Sequence, residues 1–187
     1  MFNLPNYITI LRIILVPFFF CFLIYYNKNH PSFRFLALIV FVVAIATDAL
    51  DGLIARKFQL RTKLGTFLDP FADKLLLLSG FLGIAFSGEF YSKPHLWIVI
   101  VIVFRDLFII CGLFIIYMTV NRVEIKPNIL GKITTFFQMM TILTVLMNWT
   151  RVEWIWFTTA ALTILSWMTY IRQGILFLNS SSAVKKT

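Results

Sequence analysis

The sequence predicts an all-α fold: a polytopic membrane protein of six transmembrane helices, entered through a short N-terminal interfacial segment. Three observations predict it. First, 60% of the 187 residues are hydrophobic and only 13% are charged, against about 25% charged in an average soluble domain. Phe alone supplies 21 positions, more apolar surface than a soluble core of this size can hide. Second, the apolar residues gather into six runs, each close to the ~20 residues a helix needs to cross a bilayer. Third, 17 Lys and Arg stand against 8 Asp and Glu, a net charge of +9, and most of the cations lie between the runs. In a soluble chain that excess would suggest nucleic acid. Between apolar runs it marks cytoplasmic loops and contact with anionic membrane lipids, so no nucleic-acid partner is expected.

The runs fall at residues 7–27, 34–55, 70–88, 95–119, 130–149 and 153–178. Phe2-Asn3-Leu4-Pro5-Asn6 precedes the first and suits a stretch that lies in the interface before the helix turns inward. Pro17, inside that run, predicts a kink. Pro31, Pro94 and Pro127 punctuate three of the connections, and Asp73, Lys74 and Ser79 interrupt the third run. Residues 1–178 therefore read as one membrane domain and 179–187 as a polar tail, with no internal repeat. Tyr25, Tyr26, Trp97, Trp149, Trp154 and Trp156 stand near run ends, as an interfacial belt would. Cys21 and Cys111 sit inside runs without metal-ligand spacing and read as small apolar residues. The N-terminus lacks the basic start of a cleaved signal peptide.

With the N-terminus inside, the cytoplasmic loops and tail hold ten of the Lys and Arg residues and the outer loops four, Lys28, Arg34, Lys93 and Arg151. That asymmetry predicts both termini inside and the 56–64 connection at the cytoplasmic face. Arg12, Lys74 and Arg105 remain within the runs.

The acids are not distributed as a solvated surface would place them. Asp48, Asp51, Asp69 and Asp73 fall within 26 residues, and Asp106 lies inside the fourth run. A carboxylate at membrane depth costs at least about 2.5 kcal/mol, and four together repel one another. Asp48 and Asp51 are spaced i, i+3 at the end of one helix; Asp69 and Asp73 are spaced i, i+4 at the start of the next. Each pair shares a helix face. A short connection predicts that the two helices are antiparallel neighbours with their carboxylates converging at one level. An all-oxygen cluster selects hard cations such as Mg²⁺, Mn²⁺ or Ca²⁺ over zinc. His30 and His95 fall in connections on the outer side and read as interfacial residues, not ligands. Between the acid pairs, Gly52, Ala55 and Gly65 suit either close helix packing or the approach of a flat group or phosphate to the backbone. Arg56 suits either an anionic ligand or a positive-inside anchor.

The string from Asp48 to Asp73 reads D-x-x-D-G-x-x-A-R-(x)8-G-x-x-x-D-x-x-x-D. This resembles the signature of the CDP-alcohol phosphatidyltransferase family, with every defining position present. The resemblance implies a six-helix membrane enzyme in which Asp48, Asp51, Asp69 and Asp73 bind two divalent ions, Mg²⁺ or Mn²⁺, that hold the pyrophosphate of CDP-diacylglycerol. It implies that Asp73 is the base that activates the acceptor hydroxyl, and that Gly52, Ala55, Arg56 and Gly65 line the CDP-lipid pocket. It allows a homodimer, and it implies a bacterial inner membrane with the active site facing the cytoplasm. A membrane prenyltransferase would carry a third acid where Ala55 stands, and a cation transporter would not need this spacing of Gly and Arg with the acids.

Outside the signature, Asn3 to Arg12 resembles the start of the branch that uses glycerol 3-phosphate as acceptor and also the start of the cardiolipin synthases that use CDP-diacylglycerol, and the resemblance extends to Arg105-Asp106 and Gly131-Lys132-x-Thr-Thr-x-x-Gln138. Two departures, Asp106 in place of Glu and Thr134 in place of a second Lys, resemble instead the cardiolipin-synthase branch, whose acceptor is phosphatidylglycerol. Arg105 and Lys132 are the candidates for the acceptor phosphate. Arg105 could equally serve a structural pair with Asp106, Lys132 a topology anchor, and Arg12 a snorkelling cation.

Overall fold

In the computed structural model the chain is all-α. Backbone is described for residues 4–57, 63–87, 90–120 and 129–184, and side chains for 9–48, 69, 71–87, 90–112 and 129–173. Six helices follow in order: α1 (Leu4–Tyr25), α2 (Ser32–Lys57), α3 (Lys63–Phe86), α4 (Leu96–Val120), α5 (Ile129–Leu146) and α6 (Glu153–Val184).

Each apolar run lies on one helix, but several helix ends extend beyond the run. From Leu4 onward the expected interfacial stretch is the first turn of α1 and not a separate element. Pro5 is accommodated there because first-turn N–H groups have no intrahelical acceptor. α1 continues as helix past Pro17. α3 begins at Lys63, well before the apolar run at 70, and α6 carries helix through Asn179 to Val184. Hydropathy marks where apolar side chains begin, whereas the backbone hydrogen bonds of a helix continue through polar residues. α5 stops at Leu146, short of the expected 149, because Asn148 adopts φ 56° and its N–H turns back to the Val145 carbonyl.

Two helix triplets make up the molecule. α1 packs along both α2 and α3, and α6 packs along both α4 and α5. α3 joins the halves through α4 and α5, and α2 also meets α5. α1 and α3 run parallel in a constant register: Thr9 meets Asp69, Arg12 meets Asp73, Phe19 lies by Gly80 and Leu23 by Gly83. The two glycines permit this approach, since a Cβ at Gly83 would stand 2.6 Å from a Leu23 methyl and one at Gly80 would stand 2.7 Å from Ile142. α2 runs antiparallel to α1, with Arg12 reaching Asp48 and Phe19 stacked on Phe41 at 5.3 Å between ring centroids. In the second triplet α4 and α6 run parallel, with Arg105 beside Ser166 and Phe108 beside Trp167. α5 and α6 are joined by hydroxyls, Thr141 to Thr159 at 2.9 Å and Thr134 to the Leu162 carbonyl at 3.2 Å.

Apolar side chains cover the outside of the bundle as well as filling its core. Phe18, Ile39, Phe104, Phe136 and Leu165 are exposed, while Arg12, Arg105, Asp106 and Gln138 are buried. Among the described residues, 129–146 and 153–173 are long and apolar enough to cross a membrane by length and composition. This distribution points to association with a membrane. Of the expected aromatic belt, Tyr25, Trp97, Trp149 and Trp154 are exposed, but Tyr26 and Trp156 are buried in the core. Cys21 and Cys111 are exposed free thiols. His30 and His95 are exposed in connections at the opposite end of α1 and α2 from the motif acids.

Candidate active site

The motif acids are assembled by α1. Thr9 and Arg12 are spaced i, i+3 and share a face of that helix, as Asp69 and Asp73 share a face of α3. The parallel register of the two helices sets these pairs opposite each other. Thr9 Oγ1 donates to Asp69 Oδ1 at 2.6 Å. Arg12 Nη1 donates to Asp73 Oδ1 at 2.8 Å and to Asp48 Oδ1, on α2, at 2.9 Å. Arg12 is only 1% exposed, so it does not snorkel outward: its charge points into the bundle.

α2 and α3 are antiparallel, and α1 packs along both of them. Among the described residues each packs principally on α1. The carboxylates of the two helices come together through an arginine more than 30 residues upstream of either acid.

The side chains of Asp51, Gly52, Ala55, Arg56 and Gly65 lie outside the described residues. Their backbones are helical, with Asp51 through Arg56 in the last turns of α2 and Gly65 in the first turn of α3. Among the described residues no three His, Cys, Asp or Glu side chains lie close enough to hold one metal ion together. The donor chemistry nevertheless suits a hard cation. Asp48 and Asp73 already converge on a single positively charged nitrogen, and every donor is a carboxylate oxygen.

A second polar cluster lies on the other side of α3. Asp73 and Lys74 are consecutive, so the helix turns them about 100° apart. Lys74 Nζ donates to Asp106 Oδ1 at 2.8 Å. Arg105 Nη1 donates to the same oxygen, its Nη2 donates to Ser166 Oγ at 2.8 Å, and its guanidinium lies 5.6 Å from the Tyr170 ring centroid. Asp106 is fully buried and Arg105 is 1% exposed. The structural pairing of Arg105 with Asp106 is thus present. Arg105 Nε, Asp106 Oδ2 and both amide atoms of the buried Gln138 have no hydrogen-bond partner among the described residues.

Lys132 is exposed on α5 and makes no bond to Arg105. Its neighbour Gly131 faces α6, where a Cβ would meet the Tyr170 hydroxyl at 2.6 Å. Thr134 is fully buried, with its hydroxyl donating to the Leu130 and Leu162 carbonyls. That position is a helix–helix seam.

Sequence reasoning missed Thr9, Lys74, Ser166 and Tyr170, and left Arg12 open. Two signals pointed toward them: a cation inside the first apolar run, and Lys74 directly after the last motif acid in a segment where charge is expensive.

The family model for CDP-alcohol phosphatidyltransferase matches residues 2–171. The chain belongs to that family. Among curated relatives, a probable phosphatidylglycerophosphate synthase of Mycobacterium tuberculosis is 36% identical over 141 residues, covering 75% of this chain and 64% of that protein. The chain thus spans somewhat less than two thirds of that relative's length. A CDP-diacylglycerol--glycerol-3-phosphate 3-phosphatidyltransferase of Bacillus subtilis is 36% identical over 157 residues, covering 79% of this chain and 78% of that protein. One of the same name from Rickettsia bellii is 36% identical over 137 residues, covering 73% and 71%.

Proposed function

We propose that this chain transfers a phosphatidyl group from CDP-diacylglycerol to a hydroxyl of glycerol 3-phosphate, giving phosphatidylglycerophosphate and CMP. It does so as an integral protein of six membrane-spanning helices in a bacterial inner membrane, with the motif acids at the cytoplasmic face. The observation that carries this reading is the complete eight-position signature, with acids from its two ends, Asp48 and Asp73, converging on one cationic nitrogen. The names of the relatives support glycerol 3-phosphate as the acceptor.

The chemistry follows from these roles. The acceptor hydroxyl oxygen forms a bond to the lipid-side phosphorus, and the bond from that phosphorus to the oxygen of CMP breaks. Asp73 takes the hydroxyl proton, and CMP leaves as the anion. Asp48, Asp51, Asp69 and Asp73 would hold the Mg²⁺ or Mn²⁺ ions. When bound, such ions neutralise charge on the pyrophosphate and the leaving group. Gly52, Ala55 and Gly65 leave room for the nucleotide against the helix backbones, and Arg56 balances its negative charge. Arg105 and Lys132 serve the acceptor phosphate, Arg105 through the donor capacity left at its Nε. Bringing a lipid donor and a water-soluble acceptor together requires a site at the interface, and the polar interior of the bundle provides one.

The test is CMP release from radiolabelled CDP-diacylglycerol by the purified, detergent-solubilised protein with Mg²⁺. Glycerol 3-phosphate and phosphatidylglycerol are supplied side by side and the lipid products separated. Release that depends on glycerol 3-phosphate is expected. Release with phosphatidylglycerol alone would make the protein a cardiolipin synthase, and no release with either would overturn the transferase reading.

A further inference from the structure

Arg12 touches two of the four motif acids, and sequence reasoning left its role open. A guanidinium excluded from solvent needs an anionic partner. Here it has two, on different helices, held at 2.8 and 2.9 Å by the same nitrogen. Thr9 holds a third motif acid, Asp69, from the adjoining turn of α1. The α1–α3 contact that fixes this arrangement is locked by close packing at Gly80 and Gly83. A flexible surface cation would have neither the burial nor the paired geometry.

We infer that Arg12 is the resident counter-cation of the carboxylate cluster. It holds Asp48 and Asp73 together, and a divalent ion taken up at those acids has to compete with it. The inference rests on the reading of the four acids as metal ligands. Its physical basis is direct. An ion that takes Asp48 and Asp73 either displaces the guanidinium from their Oδ1 atoms or settles within a few ångströms of a like charge. Both weaken ion binding relative to a site without Arg12. The same arginine relieves repulsion among the acids when no ion is present, so the apo protein keeps its helices together. Arg12 is thus a positioning residue that sets metal affinity and the stability of the apo state in opposite directions.

The experiment uses the full chain in detergent, with Mn²⁺ binding followed by the loss of the free-ion EPR signal and thermal unfolding measured with EDTA or with Mn²⁺. Arg12→Gln should bind Mn²⁺ about tenfold more tightly than wild type. It should melt lower in EDTA, and Mn²⁺ should raise its melting temperature by more than it raises that of wild type. Arg12→Lys, which keeps the charge, should stay near wild type in Mn²⁺ affinity. Unchanged or weaker Mn²⁺ binding by Arg12→Gln, with wild type binding normally, would overturn the competition. Failure of wild type itself to bind Mn²⁺ would instead overturn the metal-ligand reading of the acids. Should Arg12→Gln not fold, ¹⁵N-arginine NMR of wild type decides the matter. The Arg12 side-chain resonances, assigned by their absence in Arg12→Lys, should shift on Mg²⁺ titration, and resonances that stay put at saturating Mg²⁺ would overturn the competition.

Discussion

Arg12 and Arg105 occupy matching places in the two helix triplets. Each is 1% exposed, each sits on the first helix of its triplet, and each reaches the parallel third helix 61 residues on, Arg12 at Asp73 and Arg105 at Ser166. The surroundings differ in sign. Around Arg12 the described acids are Asp48, Asp69 and Asp73, so negative charge is in excess. Around Arg105 there are two cations, Arg105 and Lys74, and one acid, Asp106. Consecutive residues of α3, Asp73 and Lys74, supply one member to each cluster. One helix thus separates a region suited to cations from a region suited to anions. The proposed transfer, which would move a phosphatidyl group from a pyrophosphate donor to a phosphorylated alcohol with CMP leaving, would use both signs, within reach of each other but not cancelled.

The comparison can be broken from either side. The largest effect is expected at Asp73→Asn. Losing a general base reduces turnover by about 10²- to 10⁴-fold, and the amide keeps one oxygen toward the cluster. Radiolabelled CMP release should collapse while binding of CDP-diacylglycerol survives; full activity would remove Asp73 from the base role. On the anion-suited side, Arg105→Ala leaves Asp106 buried with Lys74 as its one described cation. Breaking a buried pair costs about 3–5 kcal/mol, to be read from unfolding of the detergent-solubilised protein. If stability instead holds and only the KM for glycerol 3-phosphate rises, Arg105 is a binding residue and not a structural one.

Smaller effects test the scaffold between the clusters. Gly83→Val forces a side chain into Leu23, and overpacking of this kind costs about 1–3 kcal/mol. It should also loosen the register that sets Arg12 on Asp73, so activity should fall further than stability alone accounts for. Thr9→Val removes one hydrogen bond to Asp69, worth about 1 kcal/mol. Its melting temperature should drop slightly, with a modest rise in the Mn²⁺ needed for half-maximal turnover. The mildest change is Lys132→Ala. The residue is exposed, so stability should stay within about 0.5 kcal/mol, and only the KM for glycerol 3-phosphate should move.

Much of the site was legible because its parts are close in sequence. Asp48 with Asp51 and Asp69 with Asp73 are spaced by helical turns, so their shared faces follow from the 3.6-residue period alone. The helix count was legible for a similar reason, since a membrane-spanning run needs a minimum length of apolar residues. Helix ends were less legible. The starts of α1 and α3 and the end of α6 run through polar residues that hydropathy does not mark. What position 134 touches was not legible either, because a threonine looks the same in sequence whether it borders a pocket or, as Thr134 does, a helix seam.

By itself, then, the sequence determined the class of fold, the placement of the four motif acids on two helices, and the family that the spacing belongs to. Each of these depends on local period, local composition or a continuous string. Tertiary structure alone decided that α1 packs along both acid-bearing helices and that Arg12 and Thr9 join their cluster. It alone decided that Lys74 turns away toward Asp106 and that Arg105 is held by Asp106, Ser166 and Tyr170. The physical reason is distance along the chain. Contacts between residues 32 to 61 positions apart are set by which helix packs on which and in what register, and small residues such as Gly80 and Gly83 fix that only once the helices have met.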